Sequence, residues 1–204
     1  LALLGDINNL PASISGQFSL SHDWRLNGSD LHAAINGAQL VLRAPEAGVS
    51  SGQLMLDIAD LGRWQPGAEG QLQLQADATA NLAGLSYRGN LQDINWGGMQ
   101  IEDGEFSGAY ALEKQRFTIA GSLHKLRVGQ MALTSLTLAA SGDESAQDAV
   151  LNVQGDIDGE LHVRGGGSER NWQGKLAATE LLTAHGNWVL ADPVDMAWLP
   201  DSAQ

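Results

Sequence analysis

Two stretches of this sequence carry one pattern: residues 89–108 read GNLQDINWGGMQIEDGEFSG, and residues 121–142 read GSLHKLRVGQMALTSLTLAASG. Shifted by 32 positions (121 − 89), the first overlies the start of the second, so that Gly97 matches Gly129 and Met99 matches Met131. In both copies apolar residues alternate with polar ones, and the apolar parity flips at equivalent points. A flip that keeps the apolar side indicates an extra residue at a corner, bulge or hairpin. The pair therefore predicts two strand units that bend alike and bury their apolar sides against their neighbours.

Alternation with a period of two extends along most of the chain, as in residues 70–80, GQLQLQADATA. Such a segment is typical of a strand with one dry face and one wet face. We count about fourteen segments of about four to ten residues, within the normal range for strands. The sequence therefore predicts an all-β fold. Periodicity alone does not decide whether the dry face closes into a barrel or sandwich or stays open as a trough.

Turn signals separate these segments. We expect type I′ hairpin turns at the dipeptides that favour positive φ, namely Asn27-Gly28, Asn36-Gly37, Asp103-Gly104 and Asp158-Gly159. Longer loops are expected at residues 141–148 and 165–171. One short helical turn is expected where Leu61 and Trp64 precede Pro66.

Composition excludes several classes of protein. The net charge is −13 and the 11 Lys and Arg residues are scattered, so there is no basic footprint for nucleic acid. No uncharged apolar run approaches the roughly 18 to 20 residues of a membrane-spanning helix. There is no cysteine, and the five histidines are dispersed without a metal-binding or nucleophile motif. We predict no catalytic residue, no metal and no cofactor, and hence no enzyme.

The order of these units resembles the TamB family, a group of AsmA-like proteins. Residues 54–79, LMLDIADLGRWQPGAEGQLQLQADAT, are similar to the D-L-x-x-W-x-P-G-x-x-G-x-L-x-L stretch of that family. A W-x-G-x-L unit beginning at Trp172 is followed by a G-x-W-x-L-x-x-P unit beginning at Gly186. The resemblance runs from about Ile14 to Trp198, and the order and spacing of the whole set carry it.

The resemblance implies an elongated, curled β-sheet with an apolar interior trough, called a β-taco, in residues 1–204 as one internal segment of a longer periplasmic protein. Family members are anchored by a single inner-membrane helix in Gram-negative bacteria. They are implicated, with the outer-membrane barrel TamA, in assembling outer-membrane proteins and autotransporters, and in moving phospholipid between the membranes. The expected cargo is therefore an acyl chain or an unfolded outer-membrane protein strand.

The dry parity predicts the residues that would line this hydrophobic groove: Leu72, Leu74, Met99, Ile101, Phe106, Phe117, Ile119, Met131, Leu133, Leu138, Leu151, Val153, Leu161, Val163 and Leu176.

Two other classes remain open at this point. One is a β-solenoid or β-sandwich of a secreted adhesin or autotransporter passenger, with a filled core and no lipid groove. The other is a carbohydrate-active β-sandwich enzyme, which needs a cleft with paired carboxylates. The acidic residues here cluster in turns, such as Glu102-Asp103 and Asp143-Glu144, and this pattern is against the enzyme.

Overall fold

The computed structural model describes residues 2–7, 10–17, 19, 22, 28–44, 52–78, 83–168, 171–177 and 179–198. These residues form sixteen strands and one 3-10 helix, Leu61–Arg63. The strands, in chain order, are β1 Ala2–Ile7, β2 Leu10–Gln17, β3 Ser29–Ile35, β4 Ala38–Ala44, β5 Gly52–Ile58, β6 Glu69–Ala78, β7 Gly84–Trp96, β8 Met99–Ala111, β9 Arg116–Val128, β10 Met131–Gly142, β11 Gln147–Gly155, β12 Ile157–Ser168, β13 Asn171–Leu176, β14 Thr179–Thr183, β15 Gly186–Leu190 and β16 Val194–Trp198.

The strands form one antiparallel sheet that stays open. Fourteen of them, β1 to β13 followed by β16, are neighbours in that order. At about 4.8 Å for each step, this path spans about 60 Å. The sheet forks at β12, because β14 pairs with its first residues and β13 with its last. Within the described part of the chain β1 and β16 do not pair with each other, so the prediction of an all-β curled sheet is confirmed and a closed barrel is excluded.

A line of irregular positions crosses six consecutive strands, and we call it the crease. It contains one residue from each of β6 to β11, namely Gly70, Asp93, Glu102, Lys125, Thr134 and Gly155. Four of them have positive φ, among them Asp93 at 52° and Lys125 at 49°. A single left-handed residue reverses the alternation of side chains and bends the strand.

The crease explains the parity flip of the repeat. Asp93 and Lys125 are 32 residues apart, the same spacing as the two sequence copies, and both adopt left-handed backbone. The flip at equivalent points is therefore confirmed. The two copies are the hairpins β7–β8 and β9–β10, which lie side by side in the sheet. Their strands have 12 or 13 residues, longer than predicted, because each strand continues through the crease instead of ending there.

The predicted hairpin turns have mixed outcomes. Asn36-Gly37 joins β3 to β4 with φ of 48° and 85°, as a type I′ turn requires, so that prediction is confirmed. The predictions at Asp103-Gly104 and Asp158-Gly159 are wrong, because both dipeptides lie inside strands, β8 and β12. Asp103 lies directly after the crease residue Glu102, and the carboxylate of Asp158 accepts a hydrogen bond of 3.0 Å from the backbone N–H of the crease residue Gly155. Asn27 lies outside the described residues.

The predicted loops are shorter than expected. Only residues 143–146 separate β10 from β11, and the carboxylate of Asp143 accepts hydrogen bonds from the backbone of Ser145 and Ala146. The glycine run from Gly165 to Gly167 belongs to β12, so the prediction of a loop at 165–171 is wrong. Glycine is needed in this run because a Cβ atom would meet the Trp172 ring at Gly165 and the backbone oxygens of Ser145 and Asn171 at Gly166 and Gly167.

The expected helical turn is confirmed as the 3-10 helix after β5. Asp60 caps it, since its carboxylate accepts a hydrogen bond of 3.0 Å from the backbone N–H of Gly62. Arg63 at its end accepts, through its carbonyl, a hydrogen bond from the Asn36 side chain in the β3–β4 turn. The helix thus links the β3–β4 turn to the connection between β5 and β6, at one end of these strands.

Replacing Gly97 or Gly129 with valine should lower the free energy of unfolding by about 1 to 3 kcal/mol. Both glycines begin two-residue hairpin turns with φ near 60°, and no atom of another residue lies within 4 Å of the place where a Cβ atom would be added. The cost therefore comes from the backbone conformation alone. Thermal melting of both variants measures it, with Gly97→Asn as a control that tolerates positive φ. Unchanged melting temperatures for both valine variants would refute the requirement for positive φ at the first position of each turn.

Candidate functional site

One side of the sheet is lined by apolar residues in continuous rows across the strands, and we call it the apolar face. The row nearest the crease contains Ile58, Leu72, Leu91, Gly104, Leu123, Leu136 and Val153. The middle row contains Leu56, Leu74, Gly89, Phe106, Gly121, Leu138, Leu151 and Leu161. The outer row contains Leu54, Ala76, Tyr87, Gly108, Ile119, Ala140, Ala149, Val163 and Leu176. No residue in these rows carries a charge.

The structure brings eleven of the fifteen predicted groove residues together on this face. They are Leu72, Leu74, Phe106, Phe117, Ile119, Leu138, Leu151, Val153, Leu161, Val163 and Leu176. The other four lie beyond the crease, in the short ends of the repeat hairpins: Met99, Ile101, Met131 and Leu133. Whether any of them contacts a cargo stays a prediction.

A cluster of four buried residues fills the inside of the bend. It contains Ile94, Ile101, Leu126 and Leu133, and residues from the other side of the crease, such as Leu91 and Leu123, pack against it. Because side chains from both sides of the crease meet there, the apolar face is concave along this line. Leu133 is only 5% exposed. Ile101 and Leu133 therefore belong to a packed core and offer little surface to a cargo.

Sequence reasoning missed part of this cluster. Ile94 and Leu126 occupy equivalent positions in the two copies, yet neither is among the predicted groove residues. Their position directly after the parity flip was the signal that could have found them. Leu61 of the 3-10 helix and Ile157 of β12 also pack against the cluster. Both come from outside the repeat, so no repeat pattern could have placed them there.

Away from the crease the apolar face opens to solvent. Residues of the first two rows, such as Leu72 and Leu138, are half-buried, whereas Ile119 in the outer row is 38% exposed. On the other side of the crease Val128 is 44% exposed. The apolar surface is therefore packed along the crease and exposed to solvent farther from the crease on both sides. Among the described residues, no large side chain is fully buried, so none of these residues forms a second layer over this face.

A concavity that sequence reasoning did not predict is lined by residues of the opposite, polar face, such as Gln73, Gln75 and Arg88, and also by six residues of the middle row: Leu56, Leu74, Gly89, Phe106, Gly121 and Leu138. Its volume is about 860 Å³. A twisted sheet is saddle-shaped, so each face is concave in one direction. Side chains that line the concavity form hydrogen bonds with each other: Arg88 donates to Gln75 at 2.8 Å, and Asn90 donates to Gln73 at 3.4 Å. These pairs join β6 to β7 on the polar face.

Ion pairs on the polar face are exposed or partly buried. Asp148 accepts from His162 Nε2 and from Arg164 Nε, each at 2.8 Å and on the same carboxylate oxygen. The hydrogen bond from His162, followed by that from Arg164, holds the pKa of Asp148 below its ordinary value. His124 and Asp103 form a similar pair at 2.6 Å. The described residues contain no group of three or more potential metal ligands.

The Asp148 contacts should make stability depend on pH in the acid range. A lowered pKa in the folded state stabilises the protein above the unfolded pKa, about 4 for aspartate, and this stabilisation disappears as the pH falls through the folded pKa. We expect Asp148→Asn to melt slightly below the wild type at pH 6 and together with it at about pH 2. Melting curves at the two pH values, with the exposed Asp192→Asn as a control, check this. A difference that persists at the acid pH contradicts it.

These features define a class of protein: a single open antiparallel sheet whose uncharged apolar face is uncovered and concave along one line. The family model of the TamB N-terminal domain matches residues 1–204, and the chain therefore belongs to the TamB family. With that family it shares a role in outer-membrane biogenesis. Neither the curated proteins nor the solved structures contain a match to this chain.

The helical content of the chain bears on membrane insertion. No helix within the described ranges is long and apolar enough to cross a bilayer.

Proposed function

We propose that the apolar face shields the acyl chains of phospholipid from water as the lipid crosses the periplasm toward the outer membrane. The observation that carries this proposal is the continuous, uncharged and uncovered apolar face. Each methylene group removed from water contributes about 0.8 kcal/mol. A surface that extends over many strands can therefore hold an acyl chain without a specific binding pocket.

The chemistry of the face favours acyl chains over an extended polypeptide. A polypeptide lying on the face would need partners for its own N–H and C=O groups, because each unpaired buried group costs about 1 to 3 kcal/mol. The backbone groups of the sheet are engaged in the ladders between strands, and the three rows carry no charged side chain. An acyl chain has no such requirement.

Family membership supports the rest of the proposal. A TamA-type outer-membrane barrel is the proposed partner of the full-length protein, and the periplasm is the proposed location, with an inner-membrane anchor elsewhere in the polypeptide. The segment acts as a passive surface, without a cofactor and without catalysis. Support for autotransporter assembly comes from the family alone.

Photocrosslinking in cells tests the proposal. Leu138 lies on the apolar face, and its neighbour Thr137 lies on the polar face, paired with Ser122 and Asn152. A photoreactive phenylalanine analogue at position 138 of the full-length protein should attach phospholipid, which cells grown with radioactive phosphate reveal as a labelled band. The same probe at position 137 is the matched control and should stay unlabelled. Equal labelling at both positions contradicts the proposal, and adducts with unfolded outer-membrane proteins at position 138 would favour the polypeptide as cargo.

A further inference from the structure

The glycines of the apolar face differ in what lies above them. Four of them belong to strands β7 to β9: Gly89, Gly104, Gly108 and Gly121. Such glycines leave space on a sheet, and large side chains from adjacent strands commonly fill it. Whether each space is filled decides the shape of the surface that a ligand would meet.

Three of the four spaces are filled. A Cβ atom at Gly89 would lie 2.3 Å from Cζ of Phe106. At Gly104 it would lie 2.6 Å from Cδ2 of Leu123, and at Gly108 it would lie 2.5 Å from Cζ of Tyr87. In each case the side chain of a neighbouring strand leans across the glycine. The surface over β7 and β8 is therefore smooth and closed.

Gly121 on β9 is the exception. A Cβ atom there would lie 3.4 Å from the carbonyl oxygen of Glu105 and 3.9 Å from Cβ of Phe106, which are ordinary contacts. Phe106 is its partner on β8, but the ring leans the other way, over Gly89. On β10 its partner is Leu138, and Leu123 on its own strand leans toward Gly104. A gap one side chain wide remains in the middle row, between Phe106 and Leu138.

We propose that the gap at Gly121 is a subsite that receives a stretch of an acyl chain, and this inference rests on the proposed function. Neighbouring strands lie about 4.8 Å apart, and carbon atoms make optimal contacts at about 3.5 to 4.0 Å, so an unbranched methylene chain fits between the flanking side chains. The apolar-face residues around the gap, Phe106, Leu123 and Leu138, are uncharged. The backbone of Gly121 is engaged in the ladders with β8 and β10. The subsite therefore offers contacts to hydrocarbon and no hydrogen bond to a polar ligand.

Filling the gap tests the subsite. The full-length protein, purified and mixed with vesicles of radiolabelled phosphatidylethanolamine, carries the photoreactive residue either at Leu138, opposite the gap, or at Leu72, three strands away in the row nearest the crease. Gly121→Leu should lower lipid labelling at position 138 by about fourfold for each methylene that loses its contact. Labelling at position 72 should stay unchanged. Ser122→Leu, which adds the same side chain on the polar face, is the matched control and should change neither.

The possible results separate the two proposals. Unchanged labelling at position 138 in Gly121→Leu, or an equal loss at positions 138 and 72, overturns the subsite but leaves the shielding function standing. Absence of labelling at both positions in the otherwise wild-type protein contradicts the shielding function itself. If Gly121→Leu melts well below the wild type, Gly121→Ala replaces it, because its methyl group makes only ordinary contacts. Labelling at position 138 in Gly121→Ala should then be lower than in the wild type and in Ser122→Leu, but not abolished. If labelling does not decrease at all in Gly121→Ala, the subsite is overturned.

Discussion

Replacing Leu133 with arginine should unfold the protein, whereas the same replacement at Leu138 should leave it folded and stop the proposed lipid transfer. Leu133 is 5% exposed in the cluster inside the bend. An arginine there loses the packing of the leucine and places an unpaired charge among apolar side chains, at a cost of more than about 3 kcal/mol. That is a large part of the stability of an ordinary domain.

Leu138 differs because the apolar face is open at this position. An arginine there can extend its guanidinium along the surface to water, so the cost to folding is small. In the proposed function the acyl chain would have to cover this charge, and removing water from the guanidinium costs free energy. Circular dichroism and thermal melting measure folding, and lipid delivery to the outer membrane measures the proposed function. Thr137→Arg adds the same charge on the polar face and should affect neither quantity. Loss of the fold in Leu138→Arg would mean that this residue belongs to a closed core.

Replacing Gly89 with alanine should lower the free energy of unfolding by about 2 kcal/mol, whereas Gly121→Ala should change it by less than about 0.5 kcal/mol. The added methyl group at Gly89 would lie 2.6 Å from the backbone oxygen of Gln73 and 2.3 Å from the Phe106 ring. The backbone cannot yield as a side chain can, so the strain remains even if the ring moves. At Gly121 the closest atom is 3.4 Å away.

Chemical denaturation of the two alanine variants, measured side by side, checks this difference. The two substitutions are matched in residue type and in row, so their difference reports the close approach of the Phe106 ring and the Gln73 carbonyl oxygen at Gly89, against the open space at Gly121. Equal destabilisation would contradict both the leaning of Phe106 over Gly89 and the open gap at Gly121.

The sequence by itself determined the fold class and the two faces. Alternation placed Leu72, Leu74 and Leu138 on one side of the sheet because side chains in a strand point to opposite faces in turn. The repeat also predicted the bend, since the shared parity flip required an irregular residue at the same point of each copy, and Asp93 and Lys125 are those residues. These features are local, and a local pattern is sufficient to specify them.

Only the tertiary structure decided which apolar residues are buried and which are open. Leu133 and Leu138 have the same residue type and belong to the same strand, yet one packs in the bend and the other faces an open surface. The difference arises because residues from both sides of the crease meet at Leu133, and no such layer covers Leu138. The turn dipeptides at Asp103 and Asp158 failed for a related reason: pairing with neighbouring strands overrode their local preference. The gap at Gly121 likewise depends on which way Phe106 leans, and that direction is set by contacts between strands that alternation in a single strand does not encode.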